Sequence, residues 1–342
     1  MAGTILIPQD IAVEGKNYLA ERGYIIKMGS GVDEESMMRD TEGCDAILLR
    51  TAKVTRPVIE AGKKLKIIAR HGAGYDNVDL EAANEHGVWV TNTPDATTNS
   101  VAEFTIGAII AVAKRTFLMS RALREGNFFY KNTHKGVDLQ GKTLAIIGFG
   151  RIGSSVAKRA HFGLDMNVIA YTPHAKPEHI PEYVRLVSWE EAFTSADVIS
   201  LHMPATNDNR GCVGTREFEM MKPSAYLVNC ARGGLVDEAE LIRAVEDGEI
   251  AGAFLDVYET EPISPENPLL KLDNVITTPH MASNTEECMM LMAVQAASQI
   301  HKVLSGEEPD WPVNRPVVNC SRLKSQACPY HYRSLSDARF KR

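Results

Sequence analysis

The first part of the chain alternates short apolar runs with longer polar segments. Two of these segments, Ala12–Arg22 and Arg56–Lys63, have the pattern of helices. The predicted strands are Thr4–Pro8, Asp45–Arg50, Lys66–Arg70 and Val88–Thr91. Near-continuous apolar strands that alternate with helices are typical of a parallel sheet covered on both faces. We therefore expect one small α/β unit over roughly the first 95 residues.

A long helical pattern follows, from Asn99 to about Arg124. Asn99 or Ser100 is suited to cap its N-terminus, and Glu103 stands three residues after Ser100, as in a capping box. The pattern fits two arrangements equally well. The helix is either one wall between two domains or a buried core helix within one domain.

A second alternation of strands and helices begins near Thr143. Helices fit between its strands, notably at Arg151–Ala160 and Asp237–Asp247, and a further helix at Met289–Leu304 could cross back to the first domain. The predicted strands are Thr143–Gly148, Asn167–Tyr171, Asp197–His202, Ala225–Cys230, Gly252–Val257 and Asn274–Thr277. This number and order of strands match the doubly wound dinucleotide-binding fold.

Length and composition favour a globular protein of two domains. The chain has 342 residues, of which 44% are hydrophobic and 24% charged. Its longest apolar stretch, Ile106–Val112, is too short to cross a bilayer, which needs about 20 apolar residues. The first residues lack the basic and then apolar pattern of a signal peptide, so we expect a cytoplasmic protein.

Charge and cysteine content argue against other classes of protein. The net charge of −7 argues against a nucleic-acid partner. Residues 319–342 differ, with six Lys or Arg and one Asp, and we interpret them as a disordered tail or a vector-derived extension, with a functional arm as the alternative. The six cysteines are scattered without a CxxC pair, which favours reduced thiols over a metal site or disulfides.

A glycine-rich turn joins the first strand of the second alternation to a helix. The turn reads Gly148-Phe-Gly150-Arg-Ile-Gly153 and has the GxGxxG spacing in the strand–turn–helix context that gives the motif meaning. Gly148 permits the tight turn, Gly150 lets the backbone approach a pyrophosphate, and Gly153 lets the helix lie close to the strand. The helix N-terminus then offers N–H groups to the phosphates. This predicts a nicotinamide dinucleotide site; the alternative is a structural turn without a ligand.

The residue that should select between NAD and NADP is Thr172. An acidic residue is expected there, to bind the ribose 2′-hydroxyl of NAD. A threonine would not repel the 2′-phosphate of NADP, and His174 and Lys176 are close enough in sequence to bind it. We favour NADP slightly, with NAD as the alternative in which Thr172 bonds the ribose.

Three polar residues each follow a predicted strand of the second alternation. Arg232, Glu261 and His280 come after the strands that end near residues 230, 257 and 277. Ligands of open α/β sheets bind outside the carboxyl ends of the strands, so we expect the three side chains to converge. Each alone has a plainer interpretation, as a loop arginine, a solvated carboxylate or a structural histidine. Their occurrence at successive strand ends favours a catalytic group.

These residue types suit the interconversion of a 2-oxo acid and a 2-hydroxy acid. A guanidinium binds a carboxylate bidentately, which gives Arg232 the substrate carboxylate. Histidine titrates near neutrality, so His280 would give a proton to the carbonyl oxygen as hydride arrives, and take it back in the oxidative direction. A carboxylate such as Glu261 would orient the imidazole and favour its protonated form.

On these residues the chain resembles the D-isomer-specific 2-hydroxyacid dehydrogenase family. The resemblance covers nearly all of residues 1 to about 316 and is carried by seven segments in the family's order. They are Arg70–Asp79, Val101–Glu103, Gly148–Gly153, Leu201–Pro204, Asn229–Glu238, Leu255–Pro262 and Thr278–His280. The chain departs from the usual pattern at Thr172, at His71 and in its basic tail.

The resemblance implies two Rossmann-like or flavodoxin-like domains with the active site in the cleft between them. Residues 1–98 with 284–318 would form the substrate domain, and 99–283 the dinucleotide-binding domain. It assigns catalysis to Arg232, Glu261 and His280. Its cofactor-lining positions are Gly148, Gly150, Arg151, Ile152, Gly153, Thr172, Met203, Cys230, Asp256 and Ser283. It also implies a homodimer, with the long helix in the interface, and no metal.

The resemblance narrows the substrate to a small 2-oxo acid. Within the family the chain is most similar to phosphoglycerate dehydrogenases and to hydroxypyruvate or glyoxylate reductases. The backbone at Ala73 and Gly74 would bind the substrate carboxylate, and Arg50 aligns with a position that can contact a substrate phosphate. We expect no C-terminal regulatory domain.

Two other functions on the same scaffold stay open. A phosphite-type dehydrogenase keeps Arg, Glu and His, whereas the formate dehydrogenases pair the histidine with glutamine, which Glu261 argues against. An NAD(H)-sensing binding protein also retains the three residues, and the lack of long disordered flanks argues against it. Turnover of a 2-oxo acid separates these alternatives from the leading prediction.

Overall fold

The computed structural model describes residues 3–173, 175 and 177–316. The described chain divides into two compact units. The first takes in the chain up to Ala96 and again from Met289, and the second runs from Thr97 to Cys288. The sequence had predicted domain boundaries after residues 98 and 283. The predicted basic tail, 319–342, lies outside the described residues.

The first unit is built on a parallel sheet of five strands in the order β2-β1-β3-β4-β5. The strands are β1 (Thr4–Ile7), β2 (Ile25–Met28), β3 (Ala46–Leu49), β4 (Ile67–Arg70) and β5 (Trp89–Thr91). The helices between them are α1 (Val13–Ala20), α2 (Glu34–Thr41), α3 (Arg56–Ala61) and α4 (Leu80–Glu85). This is the flavodoxin-like order of a doubly wound sheet.

Both faces of the first sheet are buried, which explains the continuous apolar runs. Alternate residues of a strand point to opposite faces. Leu6 and Ile47 lie in the core cluster on one face, and Ile5, Ile7 and Ala46 lie in the cluster on the other. The strand β2 was not predicted. It is one of the two edge strands, and its residues are half-buried or exposed, so no buried run marks it.

The second unit is built on a parallel sheet of seven strands in the order β12-β11-β10-β9-β6-β7-β8. The strands are β6 (Thr143–Ile147), β7 (Asn167–Tyr171), β8 (Val184–Leu186), β9 (Val198–Leu201), β10 (Tyr226–Asn229), β11 (Gly252–Leu255) and β12 (Val275–Thr277). This confirms the predicted doubly wound fold. The edge strand β8, with one buried residue in three, was missed.

Three of the five α-helices described after β6 were predicted, those that begin at Arg151, Glu238 and Glu286. The five helices are α7 (Arg151–Leu164), α8 (Trp189–Ser195), α9 (Thr215–Met220), α10 (Glu238–Glu246) and α11 (Glu286–Leu304). The helix α10 starts after Asp237, whose carboxylate accepts from the backbone N–H of Glu240. This is the N-cap that an aspartate provides well.

The predicted single helix from Asn99 to Arg124 is two helices, α5 (Pro94–Ala113) and α6 (Thr116–Arg124). The chain breaks at Arg115, whose φ of 52° is left-handed and cannot continue a right-handed helix. The start was also predicted too late. Pro94 and Asp95 begin α5, and both are favoured in a first helical turn.

The buried side of α5 belongs to the core of the second unit. Val101, Ile109 and Val112 lie in one cluster with Leu144 of β6 and Val156 of α7. By length and composition α5 could cross a membrane, but more than half of that stretch is buried inside the fold. Of the two arrangements left open by the sequence, the core helix is therefore the one that these contacts support.

Candidate active site

The second sheet reverses its strand order between β6 and β9, which are neighbours in the sheet. From β6 the strands continue outward through β7 and β8 on one side, and through β9 to β12 on the other. The chain leaves β6 at Gly148 and leaves β9 at His202. The backbone N–H of His202 donates to Ile147 O at 2.7 Å, so the two strand ends are held side by side. Such a switch point is where open α/β sheets bind ligands.

Two glycines of the turn, Gly148 and Gly153, have the local geometry that the motif requires. Gly148 has a φ of +99°, and a Cβ there would lie 2.8 Å from His202 O. A Cβ on Gly153 would overlap Gly148 O, so the helix approaches the strand only because this residue is glycine. No atom of the described chain lies within 4 Å of the position a Cβ on Gly150 would take. The space over Gly150 and the start of α7 fit a pyrophosphate.

Thr172 follows β7 directly, where the ribose-binding residue is expected. Its backbone oxygen accepts from Ala175 N at 3.2 Å, and its side chain is half-buried. The position carries no carboxylate. The two residues predicted to help with a 2′-phosphate, His174 and Lys176, lie outside the described residues.

The remaining predicted cofactor residues come from the same edge of the sheet. Arg151 and Ile152 open α7, and Met203, Cys230, Asp256 and Ser283 follow β9, β10, β11 and β12. Burial, with the nearby Asp256 charge as a smaller cause, raises the pKa of the Cys230 thiol to about 12. This cysteine is therefore protonated at neutral pH and unsuited to act as a nucleophile.

Asp256 holds the loop that carries His280. It is fully buried, and its Oδ1 accepts from Thr278 Oγ1 at 2.6 Å and from Met281 N at 2.8 Å. Its Oδ2 accepts from Ala282 N at 2.8 Å. The carboxylate thus holds the loop through the Thr278 side chain before His280 and through backbone N–H groups after it, a role that the sequence did not reveal.

Glu261 and His280 form a pair. His280 Nδ1 lies 2.7 Å from Glu261 Oε2, and Tyr258 N donates to Glu261 Oε1 at 3.1 Å. Burial, the largest single effect, raises the pKa of the Glu261 carboxyl. Bonds from His280 and Tyr258 N, with the Arg232 charge, outweigh it and hold that pKa below its usual value. The carboxylate is therefore ionised at neutral pH.

His280 adopts a left-handed backbone with a φ of 49°. A non-glycine residue in this region is strained and persists only where its surroundings fix it. The clamp from Asp256 on the following residues supplies that constraint. Because Nδ1 faces Glu261, the other ring nitrogen, Nε2, is left to face a ligand.

The turn after β10 positions Arg232. Asn229, fully buried, accepts from Ala231 N at 3.0 Å and donates through Nδ2 to Arg232 O at 2.9 Å. Gly233 then passes against the backbone of Tyr258, where any Cβ would overlap the carbonyl group. The Arg232 charge also lowers the pKa of Glu261, which places the guanidinium near the pair. The structure thus brings together all three predicted catalytic residues.

The predicted substrate residues Arg50, Ala73 and Gly74 lie in the first unit, after β3 and β4. Arg50 donates from a guanidinium nitrogen to Asp10 O at 2.7 Å. Asn92 Nδ2 donates to Ala73 O at 2.6 Å, which fixes the loop after β4.

His71, in the same loop, is an unusual neighbour for these residues. It is only 4% exposed, and its Nε2 lies 3.2 Å from Met289 O. Burial above all, and then the charges of Arg50 and Arg70, lower its pKa to about 4. His71 is therefore uncharged at neutral pH, whereas Arg50 and Arg70 bring positive charge near this loop.

Together the fold and the glycine turn define a dinucleotide-binding α/β protein with an Arg–Glu–His group at the sheet edge. Residues 106–282 match the D-isomer specific 2-hydroxyacid dehydrogenase, NAD binding domain. The chain belongs to this family, and the matched residues lie within its second unit.

Relatives named for an enzyme activity match over most of the chain. It is 40% identical to the D-3-phosphoglycerate dehydrogenase of Archaeoglobus fulgidus over 319 residues, which is 93% of this chain but only 60% of that protein. It is 42% identical to the hydroxypyruvate reductase of Thermotoga maritima over 278 residues, 80% of this chain and 89% of that protein. The chain thus spans about three fifths of the phosphoglycerate dehydrogenase it matches.

A solved structure shows the same fold. The NADPH-dependent glyoxylate/hydroxypyruvate reductase of Sinorhizobium meliloti, in complex with NADP and malonate, superposes with a TM-score of 0.83 at 28% identity. The superposition covers 98% of this chain and 100% of that one. It confirms the predicted α/β architecture with parallel sheets.

Proposed function

We propose that this protein reduces a small 2-oxo acid to the D-2-hydroxy acid with NADH or NADPH. The observation that carries the proposal is the His280–Glu261 pair, 2.7 Å apart, at the same sheet edge as the glycine turn and Arg232. The names of the relatives support it, since both a hydroxypyruvate reductase and a phosphoglycerate dehydrogenase act on acids of this kind.

Each residue of the group has a part in this reaction. When bound, the nicotinamide supplies hydride to the carbonyl carbon of the substrate. Arg232 binds the substrate carboxylate through its planar fork of donors. His280 Nε2 gives its proton to the carbonyl oxygen, and Glu261 keeps the ring oriented and favours its protonated form. In the oxidative direction His280 accepts the proton.

The substrate side of the proposal includes the first unit. We propose that the backbone near Ala73 and Gly74 binds the carboxylate and that Arg50 contacts a second anionic group when the substrate has one. The charges of Arg50 and Arg70 lie close enough to this loop to lower the pKa of His71, which supports an anion site there. Hydroxypyruvate, glyoxylate and 3-phosphohydroxypyruvate are the candidate substrates.

For the cofactor we propose NADP with NAD as the alternative. The position after β7 is Thr172 and carries no carboxylate that would repel a 2′-phosphate. The structural neighbour from Sinorhizobium meliloti is NADPH-dependent and supports the same preference. We propose a cytoplasmic protein without nucleic-acid or membrane partners and without a metal.

We also propose that two copies of the chain associate through α6 and the turn after it. Four large apolar side chains there are more than half exposed: Phe117, Leu123, Phe128 and Phe129. Exposed apolar patches of this kind mark protein interfaces. A monomer mass by light scattering at micromolar concentration would contradict the dimer.

The test is loss of absorbance at 340 nm with NADH and, separately, with NADPH. The acids offered are hydroxypyruvate, glyoxylate, pyruvate, phenylpyruvate and 3-phosphohydroxypyruvate, with phosphite and NAD(P) in a parallel oxidation assay. Turnover of a 2-oxo acid is the expected result. Cofactor binding without turnover of any acid would overturn the proposal and favour a phosphite dehydrogenase or a sensing protein.

A further inference from the structure

Tyr258 contacts Glu261 and residues next to Arg232 and near His280, although it has no role in the proposed reaction. It lies just after β11 and is 6% exposed. Its backbone N–H donates to Glu261 Oε1 at 3.1 Å. Its backbone carbonyl packs against Gly233, the residue after Arg232, so closely that a Cβ would not fit between them.

The hydroxyl of Tyr258 reaches the loop of His280. It donates to Thr278 O at 2.9 Å, with Leu255 O also near at 3.2 Å. Thr278 O accepts a second bond, from the backbone N–H of His280 at 3.0 Å. The tyrosine hydroxyl and the strained histidine backbone therefore share one carbonyl oxygen.

The shared Thr278 carbonyl precedes His280 in the chain. On that side Asp256 bonds only to a side chain, the Thr278 hydroxyl. Asp256 accepts from Met281 N and Ala282 N, which follow His280. On the preceding side, the backbone of Thr278 is fixed by Leu255 O, which accepts from Thr278 N, and by the Tyr258 hydroxyl. A left-handed histidine needs restraint on both sides to keep one ring orientation.

We infer that Tyr258 is a positioning residue, whose hydroxyl fixes the loop of His280 so that the imidazole stays aligned with Glu261. This inference rests on the proposed function, in which that pair moves the proton. The hydroxyl is suited to the task because burial, the main cause, raises the pKa of Tyr258 to about 12. It therefore stays a hydrogen-bond donor across the working pH range.

The test removes one oxygen atom. Tyr258→Phe keeps the ring and both backbone contacts and deletes only the hydroxyl, with its bonds to Thr278 O and Leu255 O. Tyr226→Phe is the matched control, because Tyr226 is equally buried, at 5% exposed, and starts β10 at the opposite end of the strand from Arg232. The charged groups around the imidazole, Glu261, Arg232 and Asp256, are the same in both variants.

We expect Tyr258→Phe to lower kcat about tenfold, the effect of losing one hydrogen bond of ordinary strength. KM for the oxo acid and the cofactor should change by less than about twofold, since neither is contacted. The alkaline limb of the rate profile should move to lower pH, because a misaligned Glu261 supports the protonated imidazole less well. Tyr226→Phe should match the wild type in all three.

A second readout needs no turnover. The ring proton signals of His280, assigned by their loss in His280→Ala, are titrated by NMR in the unbound protein. A midpoint displaced to lower pH in Tyr258→Phe but not in Tyr226→Phe supports the inference. An unchanged midpoint overturns it whatever the rates do, as do equal rate losses in the two variants. A displaced midpoint in a protein that reduces no oxo acid would remove the proposed function and leave the positioning role.

Discussion

At the scale of single residues, the proposed proton transfer depends on His280, whose ring is tied to Glu261 and whose backbone is held at a φ of 49°. Neither feature concerns the glycine turn, which belongs to β6 and α7. The side chain proposed to move the proton and the backbone proposed to bind the dinucleotide can therefore be changed separately.

We predict that His280→Ala lowers turnover by ~10²–10⁴, the usual contribution of a general acid–base group. Cofactor affinity, measured by quenching of protein fluorescence, should stay close to the wild-type value. His179→Ala, which removes an exposed histidine, is the control and should keep full activity. Normal turnover in His280→Ala would assign the proton transfer to another group.

A second residue-scale prediction concerns Thr172. A carboxylate there would repel the 2′-phosphate of NADPH and accept a bond from the ribose hydroxyl of NADH. Thr172→Asp should therefore lower the ratio of kcat/KM for NADPH to that for NADH, and Thr172→Ser, which keeps a hydroxyl, should leave it nearly unchanged. An equal ratio in all three proteins would mean that the 2′-phosphate binds elsewhere.

At the scale of elements, the turn that follows β10 is shaped by the close approach of Gly233 to the backbone of Tyr258. A Cβ on Gly233 would overlap the Tyr258 backbone, whereas a Cβ on the next residue, Gly234, would point into open space. The two adjacent glycines thus give a matched pair. Only the first is required to be glycine by its surroundings.

We predict that Gly233→Ala lowers both stability and turnover, because backbone at Tyr258 must shift and cannot yield as a flexible side chain would. The destabilisation should be about 1–3 kcal/mol in chemical denaturation. Gly234→Ala should lie within about 0.5 kcal/mol of the wild type, as surface substitutions usually do. Equal effects of the two substitutions would show that the approach to Tyr258 is not a constraint.

The sequence predicted the central strands of both sheets but only two of the four edge strands, β5 and β12. Strands such as β6 and β10 are buried on both faces, and a continuous apolar run records that burial. The edge strands β2 and β8 are mostly exposed or half-buried, so nothing in their sequence separates them from loops. The break at Arg115 was missed because the helical pattern of apolar residues continues on both sides of it. No glycine or proline marks the turn.

The site shows the same division. Arg232, Glu261 and His280 were predicted because each follows a strand and has a side chain suited to the chemistry. The supporting contacts of Asn229, Asp256 and Tyr258 were not, because they join backbone groups of neighbouring strands and depend on register that no local pattern encodes. The type of a residue indicates the chemistry that it can perform, whereas the contacts that position it depend on how the strands are arranged in the folded sheet.

At the scale of the whole molecule, two histidines, the buried His71 and the half-buried His202, make folding sensitive to acid. Burial, chiefly, lowers the pKa of His71 to about 4, and burial lowers that of His202 to about 3. His202 Nε2 lies 2.9 Å from Ser200 Oγ, a partner that a neutral ring can use as donor or acceptor. The two histidines lie in different units, so each unit loses stability as the pH falls.

For His71 the sign follows from proton binding. The unfolded chain takes up the proton near 6.5 and the folded protein only near 4, so between these values the unfolded state holds more protons. Folding stability therefore falls as the pH drops through this window. Above it, both states are neutral at this residue. At about 1.4 kcal/mol per pKa unit, the loss is on the order of 3 kcal/mol.

We predict that His71→Gln flattens this dependence, because glutamine can donate to Met289 O but takes up no proton. Free energies of unfolding at pH 7 and pH 4.5 should differ by less in His71→Gln than in the wild type, whatever the variant loses at pH 7. His179→Gln, at an exposed site, should keep the wild-type difference. If the first variant also keeps it, the acid sensitivity arises from other groups, of which His202 would be the next to replace.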